Sequence, residues 1–379
     1  GEEIWQAEDP LAALRALVAR HDILRAAFPP GLTVVQREAE AAPEIIDAAD
    51  GGAQGELDAV YARARRAFDP MTGPCARFAV RREGAAGRVV FVLHHLIADE
   101  WSLKLLREEF DALYEAARRG APPPTPSRAE ALTYADFAVW QNDRLKAGAF
   151  AEGCAAWRRR LAKPTRLDPP WRQGRSTRVH TRAVRIETDL SARLEQTAAR
   201  RETSLFVVLL AGVKRYLAAA AQSADISVAT NMAYRHRPEL EPVIGPLTDT
   251  VVLRTRFAGE PPPTAAAAID AVRETFLDAC ARLDAPFEAV AAELEAFDGV
   301  SRGDLAQTFF MLHTDGDEGD AGQDGFLKNA VHAYDLVVVV TATAGGEITG
   351  RVAWRGAVRH GAAILDGLLA SWRALAEAP

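Results

Sequence analysis

The chain has 379 residues, of which 49% are hydrophobic and 26% charged, and its formal net charge is -7. This length predicts two domains or one large one. A negative charge, without a basic run or a basic amphipathic stretch, argues against nucleic acid and membrane surfaces as partners. No apolar run reaches the ~20 residues of a membrane helix, so we also expect no membrane-spanning segment.

The cysteines indicate a reducing compartment. Cys75, Cys154 and Cys280 are far apart and form no CxxC pair, which is typical neither of a disulfide framework nor of a zinc ribbon. The opening residues, GEEIWQAEDP, have neither the basic nor the apolar region of a signal peptide. We therefore expect a cytoplasmic location and no bound metal.

The first half of the chain mixes predicted helices and strands. Leucine spacing predicts a helix within residues 11–28. CARFAVRR and RVVFVL read as strands, and the second is apolar throughout, as in a central strand. Beyond this strand Ser102 is expected to cap a helix with one apolar face, and YADFAVWQNDRL opens another helix.

A stretch rich in Pro, Arg and Gly, LAKPTRLDPPWRQGRS, has no hydrophobic period and is expected to separate two subdomains. We place the first subdomain at residues 1–162, the linker at residues 163–176 and the second subdomain at residues 177–379.

The second half repeats the mixture of strands and helices, so the predicted fold class is α/β. SLFVVLLAGVKRYLAAAA is apolar nearly all round, which predicts a buried helix. Further helices are predicted at SARLEQTAARR and residues 264–281, and strands at TRAVRIETDL, DISVAT, DTVVLRTRF, LAQTFFMLH and AYDLVVVVTAT.

Two motifs are excluded by their context. GVSRG matches the GxSxG nucleophile elbow, which requires a preceding strand and a following helix, but here a helix precedes and a strand follows. DGDEGDAGQDG resembles a calcium loop, yet Phe326 stands where a bidentate Glu should close the site. We expect neither a serine nucleophile nor a calcium site.

The stretch VVFVLHHLIADEWS contains the candidate site residues. It places His94 and His95 at the end of a predicted strand, and Asp99 follows four residues after His95. Adjacent strand residues point to opposite faces, so the two imidazoles cannot share one small metal ion without a sharp turn. One histidine is expected to face the core and the other a cleft. From these residues alone, a catalytic role and a set of paired interior polar groups remain equally open.

Around these residues the sequence resembles the condensation domains of nonribosomal peptide synthetases. HHLIADEWS fits their HHxxxDG signature except at Glu100. RHDILRAAF is similar to the family's RHxxLRTxF, YADFAVWQ to YxDFAxWQ, and YRHRPELEPVIGPLTDTVVLR to NRxRPELExxIGxFVNTxxxR. DAPFEAV and SRGDLAQTFFML resemble two later motifs, so the resemblance covers nearly the whole chain in the family's order.

The resemblance implies two chloramphenicol-acetyltransferase-like subdomains in a V-shaped pseudo-dimer with a central tunnel. It implies attack by an acceptor amine on a donor thioester, which forms an amide. The expected partners are donor and acceptor carrier proteins and neighbouring synthetase domains. No cofactor is expected to bind directly, since the substrates travel on phosphopantetheine, and we expect a monomer.

The resemblance also implies residue roles. His95 matches the tunnel-facing histidine, which acts either as a general base or as a positioning group. His94 matches a buried supporting histidine. Asp99 matches an aspartate that pairs with an arginine, here Arg235, across the subdomain interface and braces the loop.

Some positions depart from the family pattern. Glu100 replaces Gly, which would strain the backbone if this position needs a positive φ, whereas an outward-facing Glu at a helix start would be favourable. Tyr234 and Asp249 each replace Asn, and EEIW at the start resembles a remnant of the family's opening strand. We expect substrate contacts from Glu100, Trp101, Ser102 and Asp249.

Three functions from two classes compete. The leading one is a peptide-bond-forming enzyme. The second is a degenerate relative that serves as a docking platform for tailoring enzymes; such domains typically lack the second histidine, which this chain retains as His95. The third is an enzyme that forms an ester from an alcohol.

Overall fold

The structure is a computed structural model in which the chain divides into two compact units. It describes residues 2–6, 10–30, 37–38, 42–48, 62–64, 66–83, 86–123, 132–172, 178–313, 327, 330, 332–343 and 345–378. The first unit comprises Gly1–Ala149 and Ala233–Thr248, and the second comprises Phe150–Met232 and Asp249–Pro379. The calcium-like loop at residues 315–325 lies outside the described residues.

The first unit is built on a four-stranded sheet with the order β1-β6-β5-β4. These strands are β1 (Glu2–Gln6), β4 (Glu44–Ala48), β5 (Ala76–Glu83) and β6 (Ala86–Leu93). The two predicted strands, β5 and β6, form an antiparallel pair. EEIW lies in β1, which pairs antiparallel with β6 and places β6 in the interior of the sheet.

Among the described residues, the longer helices of this unit are α1 (Pro10–Arg20), α2 (Glu100–Arg118) and α3 (Tyr134–Lys146). The short strands β2 (Ala26–Ala27) and β3 (Arg37–Glu38) pair with each other. The α1 and α2 helices pack their leucines and Phe110 against β5 and β6, which forms the core beneath the histidine pair.

The α1 helix is shorter than predicted, because it ends at Arg20 and a 3-10 turn follows at Asp22–Arg25. The Arg25 guanidinium closes the helix end by donating to the carbonyl oxygens of Val18 and His21. Side-chain capping of this kind, which the apolar period does not reveal, stops the helix within the predicted range.

The second unit has a six-stranded sheet with the order β7-β12-β11-β10-β8-β9. The β10 strand runs parallel to β8 and β11, whereas β12 is antiparallel to β7 and β11. The strands are β7 (Val179–Ile186), β8 (Asp225–Ala233), β9 (Thr248–Arg256), β10 (Thr308–His313), β11 (Leu336–Ala342) and β12 (Ile348–Arg355).

Seven helices of the second unit are described: α4 (Ala151–Leu161), α5 (Thr188–Arg200), α6 (Leu205–Ala221), α7 (Ala265–Cys280), α8 (Phe287–Asp298), α9 (Arg302–Leu305) and α10 (Gly361–Ala376). The predicted burial of α6 is confirmed. Ser301 of GVSRG follows the α8 helix, so the strand that a nucleophile elbow requires is absent there. Among the described residues no single helix could span a membrane, whereas the bent pair α5 and α6 meets the length and composition test together.

Part of the predicted linker packs on the second unit. Leu167 and Trp171 are 5% and 3% exposed. The side-chain amide of Gln307 bonds both the backbone N–H of Leu167, at 2.5 Å, and its carbonyl, at 2.9 Å. The predicted subdomain boundaries stay a prediction.

Lys214 of the α6 helix carries a buried amine in the core of the second unit. Its side chain has no solvent exposure, and burial lowers its pKa to about 7. The amine donates to the carbonyl of Leu253 and to Oγ1 of Thr255, both at 2.7 Å. Two acceptors suit the two N–H groups of a neutral amine, so the packing favours the uncharged form.

We predict that the free energy of unfolding rises between about pH 7 and pH 10 because of Lys214. In this window the unfolded lysine still binds a proton that the folded one has released, which gives a slope of up to about 1.4 kcal/mol per pH unit. Urea unfolding of Lys214→Met should lack this rise, whereas exposed Lys146→Met should keep it. If the free energy of unfolding rises equally steeply with pH in wild type and in Lys214→Met, the lowered pKa assigned to Lys214 is contradicted.

Candidate active site

A tight turn after β6 separates the two histidines. The N–H of His94 donates to the carbonyl of Cys75, and the N–H of Ile97 donates to the carbonyl of His94, both at 2.9 Å. His95 and Leu96 are exposed at the tip, while Ile97 and Ala98 return to the core at 0% and 6% exposure. The sequence predicted that the histidines would diverge, and the turn leaves one half-buried and the other exposed.

His94 supports the turn with its own ring. Its Nδ1 accepts a 3.0 Å hydrogen bond from the N–H of Leu96, so Nδ1 carries no proton. Burial lowers the pKa of His94, and the neighbouring His95 lowers it further, which keeps the ring neutral. The edge of the ring packs against Phe68, with 6.1 Å between the ring centroids.

His95 presents a defined basic nitrogen. Its Nδ1 lies 3.0 Å from the carbonyl oxygen of Ala98. A carbonyl can only accept, so Nδ1 must carry the proton, and in the neutral ring Nε2 has the free electron pair. The side chain of His95 is exposed.

Asp99, at 3% exposure, begins the α2 helix. Its Oδ1 accepts the N–H of Ser102 at 2.8 Å, so Asp99 is the N-cap and Ser102 is the third helical residue. The predicted Ser102 cap is therefore wrong by three residues. Asp and Ser cap helices about equally well, so residue type could not distinguish them.

The Asp99 carboxylate pairs with Arg235, as the resemblance implied. Nη2 of Arg235 lies 2.9 Å from Oδ1 and 3.1 Å from Oδ2. Nη1 donates to the carbonyls of Leu240 and Val243, at 2.9 and 2.7 Å. Arg235 is 7% exposed and, like Asp99, belongs to the first unit, although its segment connects β8 and β9 of the second unit's sheet.

Three further groups complete the shell around Asp99. Its Oδ2 accepts the N–H of Leu247 and the hydroxyl of Thr248, both at 3.0 Å. The Ser102 hydroxyl lies 2.7 Å from Oδ1 and accepts the N–H of Gly245 at 3.0 Å. Sequence reasoning missed Leu247, Thr248 and Gly245, because their partners lie more than 140 residues away and no local spacing connects them.

Gly245 is required by close approach. A Cβ there would lie 2.4 Å from Cδ2 of Tyr134, so any side chain would push the α3 helix away from residues 233–248. Phe137 of the same helix packs with Tyr234, Leu240 and other residues of this segment. Gly245 therefore allows residues 233–248, which carry the partners of Asp99, to pack closely against the α3 helix.

The four predicted substrate contacts lie in different environments. Ser102 is fully buried, whereas Glu100 is exposed as the first residue of α2. Trp101 is 44% exposed, donates from Nε1 to the carbonyl of Glu241 at 2.9 Å, and places its ring 5.9 Å from the Arg235 guanidinium carbon. The carboxylate of Asp249 accepts the N–H of Phe287 at 2.7 Å within the second unit. Burial raises the pKa of Asp249.

The backbone strain considered for Glu100 is absent. Among the described non-glycine residues, positive φ angles occur only at Lys163, Glu202 and Gln222. An acid in the first turn of a helix is favourable by about 0.3–1 kcal/mol. This accounts for the tolerance of Glu100 at the first position of α2. No three described His, Cys, Asp or Glu residues are grouped so as to hold a metal ion.

A family model described as the condensation domain matches residues 11–357. The chain belongs to the condensation-domain family. The resemblance to the condensation domains is thereby confirmed.

The curated relatives of this condensation domain are large synthetases. A linear gramicidin synthase protein of Brevibacillus parabrevis is 34% identical over 318 residues, which is 79% of this chain and 6% of that protein. Phosphinothricin tripeptide synthetase PhsC of Streptomyces viridochromogenes is 30% identical over 324 residues, which is 79% of this chain and 28% of that protein. The condensation domain thus spans a small part of these relatives.

Solved structures confirm the fold. The X-domain from teicoplanin biosynthesis matches with a TM-score of 0.77 and 25% identity, over 100% of this chain and 90% of that chain. The epimerization domain from the third module of tyrocidine synthetase B has a TM-score of 0.77 and 13% identity, over 100% and 92%. The predicted α/β fold is that of the condensation-domain structures.

We predict that His94→Asn preserves the turn of the condensation domain, while His94→Gln does not. The Oδ1 atom of Asn occupies the place of the His Nδ1 and can accept the Leu96 N–H, whereas the longer Gln side chain carries its oxygen one bond further out. Amide hydrogen exchange at Leu96 is the measurement. Fast exchange in the Asn variant, or protection in the Gln variant, would show that Nδ1 is not the supporting acceptor.

We predict that Asp99→Asn lowers the free energy of unfolding by roughly 3 kcal/mol, because it leaves the buried Arg235 cation without its counter-charge. The matched control is Glu100→Gln, which neutralises the adjacent exposed acid and should lower stability by no more than its first-turn contribution of about 0.3–1 kcal/mol. Urea unfolding measures both. Similar losses in the two variants would remove the bracing role from Asp99.

Proposed function

We propose that this condensation domain forms an amide between a donor acyl or peptidyl thioester and the amine of an acceptor aminoacyl thioester. Both substrates would be carried on the phosphopantetheine arms of carrier proteins, so the domain itself needs no bound cofactor. The observation that carries the proposal is the exposed His95, whose Nδ1 proton is engaged by Ala98 and whose Nε2 is left basic. Membership of the condensation-domain family supports the reaction class.

The chemical need is for a proton acceptor. An α-amino group has a pKa of about 7.7–8.0, so near pH 7 most of it is protonated and cannot attack a thioester. As the N–C bond forms, Nε2 of His95 takes the amine proton, and it then returns the proton to the departing thiolate as the C–S bond breaks. General-base help of this kind is worth roughly 10²–10⁴-fold.

The other motif residues would position His95. His94 and Asp99 hold the two sides of the turn, and Arg235 neutralises Asp99. Ser102 is too enclosed to touch a substrate, so we assign its contribution to the same support. Glu100 and Trp101 have exposed surface, and we propose that they contact the substrates.

Asp249 is a separate case, because its hydrogen bond to Phe287 lies in the second unit. Its raised pKa would let it donate a proton at higher pH than an ordinary aspartate. We propose a substrate contact there that does not depend on the shell around Asp99.

A docking function is the second candidate. One solved structure similar to this chain is a complex of the X-domain and OxyB from teicoplanin biosynthesis, with a TM-score of 0.76. The X-domain alone is 25% identical to this chain. By analogy the chain would recruit a tailoring enzyme, but an accessible histidine with a defined tautomer favours chemistry.

We predict that His95→Ala lowers product formation by about 10²–10⁴-fold while carrier-protein binding survives. The experiment loads candidate carrier proteins with defined thioesters and detects the condensed product by mass spectrometry. The exposed His332 of the second unit provides the control, His332→Ala, which should keep wild-type turnover.

The melting temperature of His95→Ala should stay within a few degrees of wild type, because the exposed ring contributes little to packing. Acceptors that carry a hydroxyl in place of the amine test ester formation in the same assay. Wild-type turnover in His95→Ala would overturn the catalytic assignment. If no combination of donor and acceptor thioesters gives a product, and a tailoring oxygenase binds the domain, the docking function is favoured.

A further inference from the structure

We propose that the Thr248 hydroxyl is a positioning group for the histidine turn. The inference deepens the proposed function and rests on it for the role of His95. It concerns the buried carboxylate of Asp99, which accepts this hydroxyl at its Oδ2.

The geometry makes Thr248 a specific ligand of Asp99. Its Oγ1 donates to Oδ2 at 3.0 Å, and the only other donors described on this oxygen are the N–H of Leu247 and Arg235, the latter shared with Oδ1. Thr248 is half-buried as the first residue of β9, and a β-branched side chain has few χ1 choices. The hydroxyl of Thr248 therefore has few alternative orientations and stays directed at Oδ2 of Asp99.

Asp99 transmits its position to His95 through one peptide unit. The carbonyl that fixes the His95 tautomer belongs to Ala98, and that carbonyl shares a rigid peptide plane with the N–H of Asp99. A carboxylate fully bonded on both oxygens therefore fixes the direction of the Ala98 carbonyl. If the Asp99 Oδ2 loses a hydrogen bond, the peptide plane between Ala98 and Asp99 can rotate. This rotation weakens the hydrogen bond between the Ala98 carbonyl and Nδ1 of His95.

Thr248 departs from the family's motif pattern. IGxFVNT has Val at this position, and valine has the shape of threonine without a hydrogen-bond donor. The hydrogen bond from the Thr248 hydroxyl to Oδ2 of Asp99 is therefore additional to those that the motif pattern implies.

The test compares Thr248→Val with Thr248→Ser. Valine keeps the shape of threonine and removes the hydroxyl, and Thr248→Ser keeps the hydroxyl. The control is Thr250→Val on the same strand, because the Thr250 hydroxyl donates to Asn231 and not to Asp99. Turnover per folded protein, KM for the acceptor and the ¹⁵N chemical shifts of the His95 ring are measured for each variant.

We expect Thr248→Val to lower kcat about threefold to tenfold with KM unchanged, which corresponds to about 0.6–1.4 kcal/mol, the net contribution of one typical hydrogen bond. The His95 Nδ1 signal should move from the protonated towards the averaged position, and Thr248→Ser should restore both values. Thr250→Val should match wild type.

The proposal is overturned if Thr248→Val leaves kcat and the Nδ1 signal unchanged. A fall in melting temperature alone, with unchanged kcat and tautomer, also overturns it, because that result describes a purely structural hydroxyl. If the wild type forms no product, the proposed function fails, and the ¹⁵N comparison of the Thr248 variants still decides the role of Thr248.

Discussion

The buried carboxylate of Asp99 is the interaction on which the rest of the site depends. It caps α2, pairs with Arg235 and accepts hydrogen bonds from a segment that is remote in sequence. Burying one charge without compensation would cost several kcal/mol, so these donors are a condition for the loop to exist in this form. Asp99 directly follows Ala98, whose carbonyl oxygen lies 3.0 Å from Nδ1 of the exposed His95 imidazole.

The two histidines show how neighbouring residues acquire different chemistry. His94 is partly buried, accepts a backbone N–H and is kept neutral. His95 is exposed in the turn and donates from Nδ1, which leaves Nε2 of the neutral ring with a free electron pair. In each ring the protein uses one nitrogen for support. Only in His95 is the remaining nitrogen a basic one on an exposed side chain, which is the basis for assigning the chemistry to that residue.

Local pattern predicted much of the fold and the centre of the site. The apolar run before His94 indicated a central strand, and the even apolarity of α6 indicated a buried helix. Periodicity failed where side chains decide the boundary, as with Arg25 at the end of α1. It also failed for Thr248 and Gly245, because their roles arise from packing against residues far away in the chain. The family resemblance supplied the Asp99–Arg235 pair, which no local period could have found.

The most direct measurement of the central claim is the location of the ring proton on His95. Neutron diffraction from crystals grown near pH 8 would reveal the hydrogen isotope on each ring nitrogen. The account predicts density on Nδ1, directed at the carbonyl oxygen of Ala98, and none on Nε2. Density on Nε2 with a bare Nδ1 would contradict it, because the exposed nitrogen would then be unable to accept a proton from an amine.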